Sequence, residues 1–394
     1  MPSGGLCLRE GRGIDDKVRA LILHSGYRVP GGEEQAVDDS ARIMRQLGID
    51  PQVLIHQSAD QRASAGWSIL KSGDRAEDIE HAFRTQAVQL VHVHNVMPML
   101  MDKPVNLAAR YGIPAVVSVH NHRGFCINGS VLRENRTCLR CLHRSTLPGV
   151  LHNCRGNVVE SAVYGIGVQR LKGMWRRFRK VIFPSRYLEA VYLESGLVEV
   201  HQAEVIPHLV PQDPMPSAPR DRQFLYVGRN SPEKGLLVLL RAWQHVRPRI
   251  GVAWHLTVVT DSRPPGDWEG VNFLPKATRQ EVMGLMRQAH ALVVPSLAAE
   301  TFSYVCLEAL SAGTPVIASR TAALPEVLGD DSGVLVSPGD CQALADAMER
   351  LAGDGAGWER VHEHAAARYH AHYSPAIALA KWRELYRGII GRDF

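Results

Sequence analysis

The sequence predicts an α/β protein built of two doubly wound, Rossmann-like domains that face each other across a cleft. Three observations predict it. Short β-branched runs alternate with longer helical patterns over nearly the whole chain, the mark of parallel sheets covered by helices. At 394 residues the chain can bury about two separate cores. Between the two sets of strands lies PHLVPQDPMPSAPRDRQ, residues 207–223, with five prolines and no apolar periodicity, which reads as a linker.

In chain order, residues 1–17 (MPSGGLCLREGRGIDDK) are expected to form a flexible tail, and they lack the apolar core of a secretory signal. The first domain is expected over 18–206, with strands at Val18–Leu23, Gln52–Gln57, Gln89–Val93, Pro114–Val119, Lys180–Phe183 and Ala203–Ile206, and a cysteine-rich insert at 121–156. The second is expected over 224–373. Its strands are read at Gln223–Val227, His255–Thr260, Val271–Leu274, Leu292–Val294, Pro315–Ala318 and Gly333–Val336. The closing segment, 374–394, holds the helical pattern SPAIALAKWRELYRGII with a proline in its first turn.

With 45% apolar and 22% charged residues, the composition is that of an ordinary globular protein. No apolar run reaches the roughly 18 residues of a membrane span, so a cytoplasmic protein is expected. The net charge of +5 is concentrated in RLKGMWRRFRK, residues 170–180, which holds six basic residues (Arg170, Lys172, Arg176, Arg177, Arg179, Lys180) and no acid. Leu171, Met174, Trp175 and Phe178 fall between them at helical spacing. The segment reads either as an amphipathic helix in peripheral contact with an anionic membrane or acidic acceptor, or as a solvated helix whose Trp and Phe face the core. A single basic patch without an aromatic platform speaks against nucleic acid.

Two strand–helix junctions of the second half carry chemistry. In FLYVGRNSPEKGLLVLLRAW, residues 224–243, Gly228 permits a tight exit from the strand, and Arg229 and Lys234 can clamp a diphosphate, the guanidinium bidentately and the ammonium as a point charge. In VVPSLAAETFSYVCLEALSAGTPVIAS, residues 293–319, Glu300 falls in the loop after a strand, and Glu308 falls in the helix Tyr304–Ser311, which Gly313 and Pro315 end. Ser303 can cap that helix, whose first turn suits a phosphate. At a rise of about 1.5 Å per residue the two carboxylates are no more than roughly 12 Å apart, so one extended ligand with sugar hydroxyls at each end could reach both. Taken separately, these residues also read as basic groups around a turn, a loop charge and a helix-surface charge. In the first half, Gly31 and Gly32 of YRVPGGEEQ allow close backbone approach or simply a flexible loop. His120 ends a strand in VVSVHNH, and His94-Asn95 ends the preceding one.

Together, Gly228-Arg229, Lys234-Gly235, and Glu300 with Glu308 in ETFSYVCLEALSAGTPV resemble the signature of the GT-B fold retaining glycosyltransferases of family 4. The resemblance covers essentially the whole chain and is most specific over 224–336. It implies a nucleotide-sugar donor on the second domain and a hydroxylated acceptor on the first. The donor would contact Gly31, Gly32, Gly228, Arg229, Lys234, Glu300, Thr301, Phe302, Ser303, Tyr304 and Glu308. Arg229 and Lys234 would hold the diphosphate, Glu308 the ribose hydroxyls and Glu300 the donor sugar, with His120 beside the transferring sugar and His94, Asn95 and His120 toward the acceptor. The last helix would pack back on the first domain through Ala380, Trp382 and Tyr386. Ser303 departs from the family, which usually has glycine there. A front-face mechanism needs no enzymatic nucleophile, and with no Asp-x-Asp pair in the chain no cofactor for catalysis is expected; UDP is the expected nucleotide. The acceptor is open among sugars, natural products and lipid-linked sugars, and a nucleotide-sugar hydrolase or epimerase and a non-catalytic binding protein remain alternatives.

Four of the seven cysteines, Cys126, Cys138, Cys141 and Cys154, follow the spacing C-x11-C-x2-C-x12-C, which predicts a structural zinc loop. An iron–sulfur cluster, replacement of one thiol by His143 or His152, or no metal are the alternatives. A similar insert occurs in a subset of the family that the chain resembles. Following His120 directly, it is expected to shape the acceptor side of the cleft. Cys7, Cys306 and Cys341 read as unrelated.

Overall fold

The computed structural model of the protein describes residues 17–26, 31–57, 62–71, 73, 76–143, 145–211 and 220–391. The expected tail up to residue 16 and residues 212–219 of the expected linker lie outside the described residues, as does Cys7.

The first sheet is formed by β1 (Arg19–Gly26), β2 (Asp50–Gln57), β3 (Leu90–Val93), β4 (Ala115–Ser118), β7 (Lys180–Phe183) and β8 (Ala203–Val205), in the order β2-β1-β3-β4-β7-β8 and parallel throughout. The second is formed by β9 (Gln223–Val227), β10 (His255–Val259), β11 (Val271–Leu274), β12 (Ala291–Val294), β13 (Val316–Ser319) and β14 (Gly333–Val336), in the order β11-β10-β9-β12-β13-β14 and again parallel. Each of these strands overlaps the one read from the sequence. A small hairpin, β5 (Leu132–Arg133) with β6 (Arg136–Thr137), was not expected. Its two turn residues, Glu134 and Asn135, both have positive φ (51° and 59°), and a glutamate there hides the usual Asn-Gly signal of such a turn.

The first domain carries helices α1 (Gly32–Gln46), α2 (Arg62–Leu70), α3 (Ala76–Thr85), α4 (Lys103–Arg110), α5 (Leu147–Leu151), α6 (Val158–Leu171) and α7 (Arg186–Glu194). The second carries α8 (Leu236–Ile250), α9 (Arg279–Gln288), α10 (Tyr304–Ser311), α11 (Leu324–Leu328), α12 (Cys341–Gly353) and α13 (Gly355–His372), and α14 (Pro375–Ile390) follows. Both faces of each sheet are covered, and the period of two decides which residue goes where. Leu21 and Leu23 of β1 enter one core while Ala20 and Ile22 enter the other. In the second sheet Leu225 of β9 and Phe224 and Tyr226 divide in the same way.

Helix α14 lies on the first domain. Trp382 and Tyr386 join the core beneath β1 and β4, each burial contributing about 1.5–3 kcal/mol. Tyr386 Oη is 3.0 Å from His92 Nδ1, His92 Nε2 is 2.8 Å from Ser118 Oγ, and Lys381 Nζ donates to the Val205 carbonyl at 3.1 Å. Ala380, expected in this contact, is exposed; Ala378 and Leu385 take its place because they share the helix face of Trp382.

The basic segment 170–180 ends α6 and continues as a 3-10 turn, Lys172–Arg177. Leu171, Met174, Trp175 and Phe178 are all buried in the first core. An amphipathic face presented to a membrane by these four is therefore corrected to a core anchor. Only the basic side, Arg170, Arg176, Arg177 and Arg179, is exposed. No helix among the described residues is long and apolar enough to cross a membrane.

The domains meet directly. Ser185 Oγ donates to the Thr301 carbonyl at 2.7 Å, and the Glu326 carboxylate of α11 accepts the Arg186 and Tyr187 amides, at 2.9 and 3.1 Å, at the start of α7. A carboxylate on two free amides of a helix N-terminus is a charge-assisted cap, here supplied by the opposite domain. Glu326→Ala is expected to lower stability by about 1–2 kcal/mol and to raise the radius of gyration in small-angle scattering. An unchanged radius and melting temperature would mean that the cap does not hold the domains together.

Candidate functional site

In the second sheet the chain order reverses between β9 and β12, and the loops leaving their carboxyl ends flank the crevice where open α/β sheets bind ligands. These loops are sewn together. The Leu297 and Ala298 amides both donate to the Glu233 carbonyl, at 2.9 and 3.2 Å. Gly235, with φ +69°, passes so close to the β12 exit that an added Cβ would lie 1.9 Å from the Pro295 carbonyl oxygen. A third loop joins them where the Ala323 amide donates to the Glu300 carbonyl at 3.0 Å.

Lys234 and Glu300 are brought together by this frame. Lys234 Nζ donates to Glu300 Oε1 at 2.8 Å, and Ser296 Oγ donates to the same oxygen at 2.6 Å. Arg229 reaches into solvent beside them, paired with Glu233 at 3.1 Å, while Tyr226 Oη donates to its carbonyl. Gly228 follows β9 within this loop, and a Cβ there would meet the Tyr226 hydroxyl. Ser303 caps α10 by accepting the Cys306 amide, and Cys306 is core.

Glu308, one turn into α10, is buried and joined to Arg279 at the start of α9, 2.9 Å away. Asp39 of α1 approaches from the first domain, where Tyr304 Oη donates to its Oδ2 at 3.2 Å. Burial raises the Asp39 carboxyl, against the pull of Arg42 and Arg279. Burial also pushes Glu308 up to about 7, with Arg279 opposing. A raised folded value means that Glu308 contributes stability below its unfolded value near 4.5 and that this is lost as pH rises through about 7. Ribose hydroxyls are accepted best by the ionised form. The ribose role that the resemblance implies for Glu308 thus predicts that UDP affinity rises between about pH 6 and 8 in calorimetric titrations and that Glu308→Gln flattens the rise. A flat wild-type profile would remove Glu308 from the ribose site.

The facing wall is made of imidazoles. His92 stacks on His94 (4.6 Å between ring centroids), His94 on His120 (5.1 Å), His120 on His208 (5.5 Å), and His208 on Tyr304 of the second domain (4.4 Å). His94 Nδ1 and His120 Nε2 share a hydrogen at 2.9 Å, leaving His94 Nε2 and His120 Nδ1 buried without a partner. Burial holds all four rings below the ordinary histidine range, His92 and His208 at about 3, so they are neutral.

Of the remaining expected residues, Thr301 Oγ1 donates to the His120 carbonyl at 2.7 Å and Phe302 packs edge-on against His208, so both hold the domains together. Gly31 and Gly32 open α1, the Gly32 Cα facing the Tyr304 ring. Asn95 is turned inward, its amide donating to the Ser25 carbonyl and its oxygen accepting the Met97 amide. Sequence reasoning missed Asp39, His208, Arg279 and Glu326. Asp39 left a signal, being a carboxylate in register with the apolar positions Ala36 and Ile43 of α1. The others sit far from any motif.

Cys126, Cys138, Cys141 and Cys154 line one small cavity with Arg133, Arg140 and His152. All four are free thiols. Burial, then the neighbouring thiolates, push Cys141 up to about 11 and raise Cys154. In kind this donor set fits a soft dication, which would reverse those shifts. As they stand, no three His, Cys, Asp or Glu side chains among the described residues are placed to hold a metal ion.

A family model described as glycosyl transferases group 1 matches residues 221–354, the span that holds Arg229, Lys234, Glu300 and Glu308. Phosphatidyl-myo-inositol mannosyltransferase of Mycobacterium leprae (strain TN) is 31% identical over 350 residues, covering 84% of this chain and 86% of that protein. Among solved structures, sucrose-phosphate synthase from Thermosynechococcus elongatus matches with a TM-score of 0.71 at 18% identity, over 95% of this chain and 99% of that one. Anabaena HepE in complex with UDP and glucose matches with a TM-score of 0.64 at 16% identity, over 94% and 99%. At these identities the two structures speak for the fold, which is GT-B.

Proposed function

The chain belongs to the group 1 glycosyltransferases, and from that premise we propose that it moves a sugar, with retention, from a nucleotide diphosphate sugar to an acceptor hydroxyl by metal-independent, family 4 chemistry. The observation that carries this reading is the Lys234–Glu300 pair at the β9/β12 crevice. Without a donor, the ammonium is neutralised by the carboxylate. An incoming diphosphate offers Lys234 a stronger partner and releases Glu300 to accept hydroxyls of the donor sugar. As the sugar leaves, charge builds on the terminal phosphate, and Lys234 and the first turn of α10 meet it from fixed positions, with the exposed Arg229 closing on it from solvent. Glu308 accepts from the ribose. The neutral His120, with Nδ1 unpartnered, serves as a single hydrogen-bond partner for the sugar or acceptor hydroxyl and adds no charge of its own.

UDP is the favoured nucleotide, supported by the complex of HepE with UDP and glucose, and mannose enters the candidate sugars from the mycobacterial relative's name. Thermal-shift screening with UDP, GDP and ADP sugars should give one series that raises the melting temperature, and that donor should release its nucleotide only when a hydroxylated acceptor is added. Release without acceptor would favour a hydrolase. No shift with any of the three would overturn the reading.

We also infer that the four cysteines of the insert hold a structural zinc, supported by their convergence on one cavity and the spacing that brings them there. Its role would be to order the segment after His120. Elemental analysis of the purified protein should find about one zinc per chain, lost in Cys138→Ser/Cys141→Ser; zinc-free wild-type protein that melts unchanged on zinc addition would refute it.

A further inference from the structure

Half of the large apolar side chains exposed among the described residues fall on three packed helices of the first domain. Trp67 and Leu70 of α2 are 59% and 41% exposed, and Leu147 and Leu151 of α5 are 56% and 73% exposed. On α6, Val158, Val159 and Ile166 are 65%, 72% and 44% exposed. The helices form one surface. Gly66 of α2 lies against Val163 of α6, the Arg170 guanidinium donates to the Leu70 carbonyl at 2.9 Å, and Thr146 Oγ1, at the start of α5, donates to the Gly165 carbonyl at 2.9 Å. The inner sides, including Ile69, Val168 and Leu171, are buried in the core. Four-residue spacing on α5 and seven-residue spacing from Val159 to Ile166 keep the exposed set on one side of each helix.

Two cations flank these apolar groups, and the single acid of residues 145–180, Glu160, is ion-paired to Arg155. Lys71 sits over the Trp67 ring at 4.9 Å, and Arg170 is exposed at the far end of α6. Aliphatic groups rimmed by cations match the apolar boundary and the headgroups of an acidic lipid layer. A symmetric pair of this chain through the same face would set these cations against each other.

The geometry points to the outer face of α2, α5 and α6 as a docking surface for a bilayer that carries anionic headgroups. This contact is separate from the crevice that holds Lys234 and Glu300 and does not depend on the donor reading. It also relocates the membrane contact from the apolar side of 170–180, which is core, to the helices beside it.

Flotation of the full-length protein with large unilamellar vesicles tests it. With phosphatidylcholine containing about 30% phosphatidylglycerol, the protein should float, and about 0.5 M salt should weaken the association. Trp67→Ala/Leu151→Ser/Val159→Ser should reduce binding about tenfold or more while keeping the wild-type melting temperature and nucleotide binding. Wild-type protein that does not float with the acidic vesicles overturns the proposal. So does a triple variant that floats as well as wild type, or a wild-type dimer in light scattering that the triple variant dissolves, which would make the face a contact between copies.

Discussion

Lys234→Ala is expected to reduce kcat/KM for the nucleotide-sugar donor by about 10²–10³-fold, a loss of roughly 3–4 kcal/mol of transition-state stabilisation. The fold fixes this cation at the β9/β12 crevice: its backbone lies on the loop whose Glu233 carbonyl receives two amides of the β12 exit, and its ammonium is already held at 2.8 Å from Glu300. A donor fixed before the reaction costs no reorganisation when charge appears on the leaving phosphate, so its removal falls mainly on kcat. Arg229 differs. Its side chain is 59% exposed and only loosely held by Glu233, so Arg229→Ala should cost about tenfold, mostly in KM. Steady-state kinetics of both variants, with melting temperatures to confirm the fold, decide the matter. Turnover of Lys234→Ala within about threefold of wild type would remove the diphosphate from this crevice.

Gly235→Ala is expected to give the largest loss of stability of any single methyl addition near the site, roughly 2–5 kcal/mol. Two effects combine. The residue sits at φ +69°, where a side chain is strained, and its Cβ would fall 1.9 Å from the Pro295 carbonyl oxygen, a backbone atom that cannot rotate away. Relief requires the loops after β9 and β12 to separate, which would also pull Lys234 from Glu300, so activity should fall with the melting temperature. Gly388 is the control: it lies inside α14 with nothing within 4 Å of its Cβ position, and Gly388→Ala should be neutral or stabilising by up to about 1 kcal/mol. Differential scanning calorimetry separates the two; a Gly235→Ala protein that melts with wild type would show that the loops are not tightly joined.

The fold was legible because parallel sheets covered on both faces write their strands as short apolar runs, and twelve such runs stand out between helical patterns. Helix α10 was legible at both ends, through Ser303 at its start and the Gly313–Pro315 turn after it. The convergence of Lys234 and Glu300 on the β9/β12 crevice was legible because these groups lie within two short stretches of chain. The wall opposite it was not. His208 and Asp39 come to the site only through the packing of one domain on the other, and Arg279 meets Glu308 across 29 positions of sequence that include a whole strand. The fate of 170–180 was ambiguous for a physical reason: alternation of basic and aromatic residues is what both a core anchor with a wet edge and a surface helix require, and only burial of Trp175 and Phe178 separates them.

The shared Glu233 carbonyl has a consequence for how this scaffold diversifies. Because two amides of one loop terminate on a single oxygen of the other, neither segment can be lengthened or shortened without unpairing its neighbour. On the proposed reading of the crevice, a change of sugar preference would therefore come through exchange of side chains at fixed backbone positions, Ser303 among them.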